Sequence, residues 1–418
     1  MKKWMFIFLF TGGKLFSQSF TLDEVNALAR QNYPLIRQQD LINRTRDISV
    51  DNLGKRFLPQ VTFSGQATYQ SEVTNITFPA SGIKIEPLSR DQYKAVADVN
   101  QLVYDGGVIK QQKAVQELTA DVQQRQVDVE LYQLQDRINQ LYLSVLFLDE
   151  QLKQTELVKN DLKTGIKSVE AQVNNGVAFR SNLNLLQAQL LQSEQRTTEL
   201  AANRKGLLET IGLFINQSVN EGAVFQRPAS PGNLAAENIR RPELQLYSAR
   251  QRLNSSQLKL IDANNTPRAS VFFQGGYGKP ALNFLENKFA FFYFIGLRFS
   301  WDFGGLYTSR KEREQVEINN SMVDVEKDLF LLNTNTQLRQ QQAEIEKMIQ
   351  LIAEDNQIVD LRNKVTEAAK AQLENGVITA NDFLIQVNAE DQARQARITH
   401  ELQLLQARIK YQIISGIK

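Results

Sequence analysis

Few residues in this chain of 418 could carry out chemistry. It has one histidine, His400, and no cysteine, which removes serine–histidine triads, thiol nucleophiles, disulfides and zinc–cysteine sites. With four methionines as the only other soft donors, a copper or zinc centre lacks ligands. Acidic pairs such as Asp149-Glu150 and Glu354-Asp355 lie in segments of helical periodicity and read as solvated helix faces, not as acid–base partners. His400, between Thr399 and Glu401 on such a segment, reads as a surface or tube-lining residue. No catalytic residue, metal site or cofactor is expected, and so no enzyme. What the side chains could do instead is line a passage, because extended segments alternate polar with apolar residues and can present water on one side and something oily on the other.

Composition narrows the setting. The 48 basic and 46 acidic residues leave a net charge of +2, with no field to draw nucleic acid. Mean hydropathy is −0.35, and beyond the N-terminus no apolar run approaches the roughly 18 to 20 residues of a membrane helix. A chain of this kind that spans a membrane must do so as a barrel. Lys2 and Lys3 followed by the apolar residues 4–10 form the start of a signal segment, taken as residues 1–19, so the chain is expected to be exported. Without cysteine it has no lipid anchor on that residue, and a barrel must hold it in the membrane.

The rest is duplicated. Pro34 recurs as Pro242 and Pro59 as Pro267, each 208 residues on. Tyr104-Asp105-Gly106-Gly107 is echoed by Asp302-Phe303-Gly304-Gly305 at a shift of 198, and Asn175-Gly176-Val177 by Asn375-Gly376-Val377 at 200. The shorter later shifts place a longer strand-to-strand loop, residues 71–92, in the first copy. The division predicted is a first repeat at 20–214, a linker rich in proline and glycine at 215–240, and a second repeat at 241–418, each repeat reading helix, β-hairpin, long helix, helix.

Between each proline and each double glycine lie two strands. Residues 61–70 alternate Val61, Phe63, Gly65, Ala67 and Tyr69 with Thr62, Ser64, Gln66 and Thr68. Residues 294–303 do the same, with Leu297, Phe299, Trp301 and Phe303 set against Arg298 and Asp302. Both runs have the length of a tilted membrane strand, and 13 of the 36 aromatic residues fall between Pro267 and Tyr307, as the girdle of a lipid-facing wall requires. Phe63, Tyr69, Leu297, Phe299, Trp301 and Phe303 are therefore expected to face lipid. Thr62, Ser64, Gln66, Asp98, Asn100, Arg298 and Asp302 are expected to face a lumen.

The intervening segments are helical and long. Residues 107–174 contain no proline and, after Gly107, one glycine, Gly165, with Leu131, Leu134, Ile138, Leu141, Val145, Leu148 and Leu152 spaced by threes and fours. Such a helix reaches roughly 100 Å at 1.5 Å per residue. Leu331, Leu338, Ile345, Ile352 and Val359 set a heptad rhythm in the second copy. Thr21-Leu22-Asp23-Glu24 has the form of a capping box. Four strands cannot close a barrel, and open edges are not tolerated in lipid, so other copies must complete it. Two copies make eight strands around a filled interior; three make twelve, wide enough for water, and the trimer is the economical solution.

On these residues the chain resembles the TolC-like outer-membrane efflux proteins over nearly its whole length. The carriers are Thr21-Leu22-Asp23-Glu24, Asn32-Tyr33-Pro34, Leu58-Pro59, the two Asp/Gly-Gly motifs, and the paired Gly176-Val177 and Gly376-Val377 turns, in order and in duplicate. The resemblance implies an α+β fold: a homotrimeric twelve-stranded β-barrel in the outer membrane of a Gram-negative cell, continued by an α-helical coiled-coil tunnel in the periplasm. It implies an exit duct of an efflux or type I secretion system, joined to an inner-membrane pump by a periplasmic adaptor protein. The docking tips are then Gly176, Val177 and Leu183 with Gly376, Val377 and Phe383, and the constriction falls at Asp382 and Asn182. Asn182 is not acidic, and Ile385 and Ile378 stand where relatives carry a second acidic residue and a gating arginine, so the ionic links of that gate do not carry over. The competing expectation, a structural or adhesive trimeric coiled-coil surface protein without transport, leaves the hairpins and the double glycines unexplained.

Overall fold

The computed structural model describes residues 18–74, 87–229 and 239–416. Most of the expected signal segment, the middle of the 71–92 loop and part of the linker lie outside them. The chain runs β1 (Ser19–Phe20), α1 (Leu22–Asn32), α2 (Ile36–Gly54), β2 (Gln60–Tyr69), β3 (Asp91–Tyr104), α3 (Val108–Asn174), α4 (Arg180–Ile215), β4 (Val224–Phe225), α5 (Pro242–Asn264), β5 (Arg268–Lys279), β6 (Ala290–Ser300), α6 (Gly304–Glu374) and α7 (Ala380–Ser415). The order helix, hairpin, long helix, helix thus occurs twice, beginning at α2 and at α5. Two compact units cut across this repetition. Of the described residues, one holds 18–37, 127–229, 239–242 and 329–416, the other 38–74, 87–126 and 243–328.

In the second of these units a four-stranded antiparallel sheet has the order β2-β3-β5-β6, leaving β2 and β6 as edges with no partner strand among the described residues. Each strand-to-helix junction is built by an aspartate. Asp105 accepts from the Gly107 N–H at 2.9 Å and the Ile109 N–H at 2.5 Å, satisfying amides that the start of α3 leaves without partners. Gly106 and Gly107 turn there with φ of 72° and 86°. In the second copy Asp302 accepts from the Gly304 N–H at 2.8 Å, and β6 has already ended at Ser300. The strand expected at 294–303 therefore begins and ends earlier, and Trp301, Asp302 and Phe303 belong to the corner, not to the sheet. The Trp301 indole N–H donates to the Asn265 carbonyl at 3.0 Å, which fixes the corner against the end of α5.

The other unit is helical. The capping box of α1 forms, with Glu24 N–H to the Thr21 hydroxyl at 3.2 Å and Thr21 N–H to the Glu24 carboxylate at 3.4 Å. One apolar cluster gathers Phe20, Val25, Ala29, Ile138, Tyr142 and Ile211 among others, where the two-residue parallel bridge of β1 and β4 meets α1, α3, α4 and α7. A second cluster draws Leu162, Leu186, Leu373 and Phe383 from α3, α4, α6 and α7. Between these clusters in sequence the helices bury amides and charges. Arg196 donates to Gln151 at 2.8 Å and to Gln395 at 2.9 Å, and Gln154 donates to Asp391 at 3.2 Å. His400 belongs to this polar stretch, half-buried with Nδ1 2.6 Å from the Asp355 carboxylate, so it is neither a free surface residue nor a bare tube-lining one. No helix of the described residues is long and apolar enough to cross a membrane.

Candidate channel wall and helical tips

Register assigns the sheet's two faces. Thr62 pairs with Asp98 and Gln60 with Asn100, while Asp98 pairs with Gln274, Gln274 with Phe294, and Ser270 with Arg298. Because side chains directly opposite share a face, Thr62, Ser64, Gln66, Asp98, Asn100 and Arg298 all stand together. Phe63, Tyr69, Leu297 and Phe299 stand on the other side, with Val61, Phe273, Phe291, Tyr293 and Ile295. No residue of that second face is buried, and its edge strands are exposed, at 81% for Phe63, 87% for Phe291 and 84% for Leu297. An apolar patch of this extent is not left to water by a soluble monomer.

The polar face has a component that alternation alone did not reveal. Phe272, Phe292 and Phe294 stand on it, beside Lys94 and Arg298. Glycines lie across from several of these side chains: Gly296 opposite Phe272, Gly276 opposite Phe292, and Gly278 opposite Lys94. A Cβ on Gly276 would lie 2.7 Å from the Phe292 ring, and one on Gly296 would lie 2.8 Å from the Phe272 ring. The rings are laid flat against the wall over the residues with no side chain. Arg298 in turn sits 4.9 Å above the Phe272 ring centroid, and Asp98 accepts a hydrogen bond from Gln274.

The helical hairpins end in matched turns. Gly176 and Gly376 take φ of 71° and 70°. Val177 N–H reaches Gln172 O and Val377 N–H reaches Gln372 O, both at 2.8 Å, while the glycine amides reach Val173 O and Leu373 O at 3.0 Å. These are Schellman closures, which need a left-handed residue and hence glycine. Val177 and Val377 are exposed at 73% and 70%. Phe383 is not: it is 1% exposed, its ring set against Gly165, where a Cβ would come within 3.0 Å. The expectation that Phe383 offers itself to a partner is corrected by this packing, which also accounts for the single glycine inside α3. Leu183 is half-buried against the same cluster. The exposed aromatic of the tips is Phe179, at 81%, a residue the duplication hid because its counterpart is Thr379.

The two α-helices that leave the tips start differently. Thr379 caps α7, accepting from the Asp382 N–H at 3.2 Å while the Asp382 carboxylate accepts from the Thr379 hydroxyl at 2.7 Å and N–H at 3.1 Å. Phe179 leads α4 with no side-chain cap, although Asn182 follows at the corresponding place. The Thr379 hydroxyl, and then its amide, hold the exposed Asp382 carboxyl below its ordinary value of 3.8. A lowered folded pKa means that the cap contributes fully above that ordinary value and is lost as pH falls through the folded one. Amide hydrogen exchange at residues 379–383 should therefore accelerate, relative to intrinsic rates, as pH drops below the ordinary aspartate range. In Asp382→Asn this extra acid dependence should vanish, and at residues 179–183 it should be missing already; an unchanged profile in the variant would remove Asp382 as its source.

The fold is that of outer-membrane channels. It superposes on the outer membrane protein VceC of Vibrio cholerae with a TM-score of 0.68 at 12% identity, over 95% of this chain and 97% of that one. It matches the CmeC outer membrane channel of Campylobacter jejuni at 0.66 and 11% identity over 94% and 85% of the two chains. It matches the open-state MtrE channel of Neisseria gonorrhoeae at 0.65 and 13% over 95% and 89%. No curated protein sequence matches it. Residues 26–213 match the family model of the outer membrane efflux proteins, so the resemblance to TolC-like proteins holds by sequence in that stretch and by fold over most of the chain.

Proposed function

We propose that the chain is the protomer of an outer-membrane exit duct, a passive conduit in an efflux or type I secretion system. The observation that supports this reading most is the sheet: an exposed apolar face, an opposite face with polar residues, and two edges without partners among the described residues. A bilayer satisfies the first, a water-filled lumen the second, and neighbouring copies the third. Three copies give twelve strands, and the helices of the same three copies form a tunnel in the periplasm of a Gram-negative cell. The two repeats at 20–214 and 241–418, joined by 215–240, then supply alternate elements of one ring. Energy comes from an inner-membrane pump, reached through a periplasmic adaptor that engages the tips at Gly176, Val177, Gly376 and Val377, with Phe179 as a further contact and Leu183 behind them. Asp382 and Asn182 stand where the helices converge, and the α7 cap holds Asp382 in place there.

Purified protein in planar bilayers is expected to give discrete conductance steps, and brief amine cross-linking in detergent a ladder ending at three chains. Cross-linked trimers that conduct nothing under any voltage or pH would favour an adhesive surface protein. A ladder ending at two would replace the wide lumen with a filled eight-stranded barrel.

A further inference from the structure

We infer that the inner face of the sheet carries a binding site for planar aromatic anions. The inference rests on the channel reading only in taking this face as the lumen. Near the hairpin end of the sheet the face sinks into a hollow of about 400 Å³. Phe292, Phe294 and Val96 give it an apolar floor, Lys94, Gln66 and Gln274 a polar rim, and the β5–β6 loop overhangs it with Leu282. The hollow exists because of the glycines: Gly276 and Gly278 lack the side chains that would fill it, so the Phe292 ring and the Lys94 stem lie flat on the wall.

The chemistry of the site is specific. Phe294 meets Phe272 edge to face at 5.9 Å and 77°, and Arg298 covers Phe272 at 4.9 Å, so aromatic surface continues from the hollow down the strand to a guanidinium. Offset stacking favours a flat aromatic guest over an aliphatic one of equal size. Charge favours an anion. Lys94 stands on the rim of the hollow, whereas Asp98, the acid of the same face, lies outside its lining and has a carboxylate oxygen occupied by the Gln274 amide. In a conduit such a site holds a passing molecule briefly rather than tightly, since two cations and a few rings on an open wall bind weakly.

Naphthalene-2-sulfonate tests the assignment, with hexane-1-sulfonate and naphthyl-2-trimethylammonium as comparisons, each titrated calorimetrically into the full-length detergent-solubilised protein against protein-free micelles. The naphthalene sulfonate should bind, and the other two should bind about tenfold more weakly, roughly one stacked ring or one close charge apiece. Phe292→Leu keeps the apolar volume and should lower affinity about fivefold, the cost of a lost stacking pair. Lys94→Gln should lower it similarly while raising that of the trimethylammonium compound, which no longer meets a like charge. Equal affinity for the hexyl and naphthyl sulfonates, or unchanged affinity in both variants while each keeps the oligomer and far-ultraviolet spectrum of the parent, would overturn the site. Because the titration needs no conduction, binding without bilayer currents would count against the channel reading alone, and currents without binding against this inference alone.

Discussion

Ile295→Arg is expected to abolish stable insertion of the protein into membranes, whereas Ser64→Arg is expected to be accepted. Ile295 lies at the middle of β6 on the exposed apolar face, 68% accessible, in the row that also holds Phe273, Val99 and Val61. An arginine on the lipid face near the midplane costs about 2–4 kcal/mol. In the proposed ring of three copies that comes to roughly 6–12 kcal/mol, comparable to the whole stability of an ordinary domain. Ser64 is on the opposite face, where water solvates a new charge at little cost. The measurement is the fraction of protein resisting extraction from membranes by alkaline carbonate, with the heat-sensitive oligomer band on gels as a second readout. Normal insertion of Ile295→Arg would mean that this face does not meet lipid, and loss of insertion in both variants would mean that the faces are not distinguished.

The largest loss of stability within the helical unit is expected from Tyr142→Ala. Tyr142 is wholly buried, its ring edge-on to Phe225 at 5.0 Å and its hydroxyl 2.7 Å from the carbonyls of both Phe20 and Gln226. It thus ties the first described strand and β4 to the middle of α3. Truncation to alanine removes an aromatic side chain from a closed core, about 3–5 kcal/mol, and frees both strands to fray. Tyr142→Phe keeps the ring and costs about 1–3 kcal/mol for the carbonyl it leaves without a donor. Burial pushes the phenol up to about 12, so folding favours its neutral form, and the stability it contributes is complete below pH 10 and lost as pH rises toward 12. Thermal unfolding of the two variants, with proteolysis near Phe20 and Phe225, would show the order; a Tyr142→Ala protein as stable as Tyr142→Phe would mean that the bridge is held elsewhere.

Local signals in the sequence were reliable where one segment sets its own geometry. The Thr21–Glu24 box, the Schellman glycines at 176 and 376, and the period of two in β2 all depend on neighbours a few residues away. The duplication extended this, because Pro242 and Gly376 could be read from Pro34 and Gly176. It failed where the copies differ. Phe383 looks like an exposed tip residue because its counterpart position and its turn are shared, yet its burial depends on Gly165, which stands on another helix. The corner at 301–303 looks like strand because it alternates aromatics, but Asp302 caps a helix and the alternation there is coincidental. The rings on the polar face were hidden for a related reason: composition does not tell Phe272, Phe292 and Phe294 apart from their aromatic neighbours, and only cross-strand register, with glycine opposite two of the rings, sets them on the face of Asp98 and Arg298.

The buried amides and charges of the helical unit bear on how very long helices find their alignment. Leucine seams alone recur every turn or two, so two such helices can slide past one another by a heptad and still bury similar surface. Arg196 cannot follow such a slide. A slide of one heptad, about 10.5 Å, pulls its guanidinium out of reach of either Gln151 or Gln395 and leaves buried groups without partners. The same holds for Gln154 with Asp391 and for His400 with Asp355. The layer thus acts as an index mark that admits one axial setting of α3, α4, α6 and α7, and it is this setting that brings Gly165 opposite Phe383.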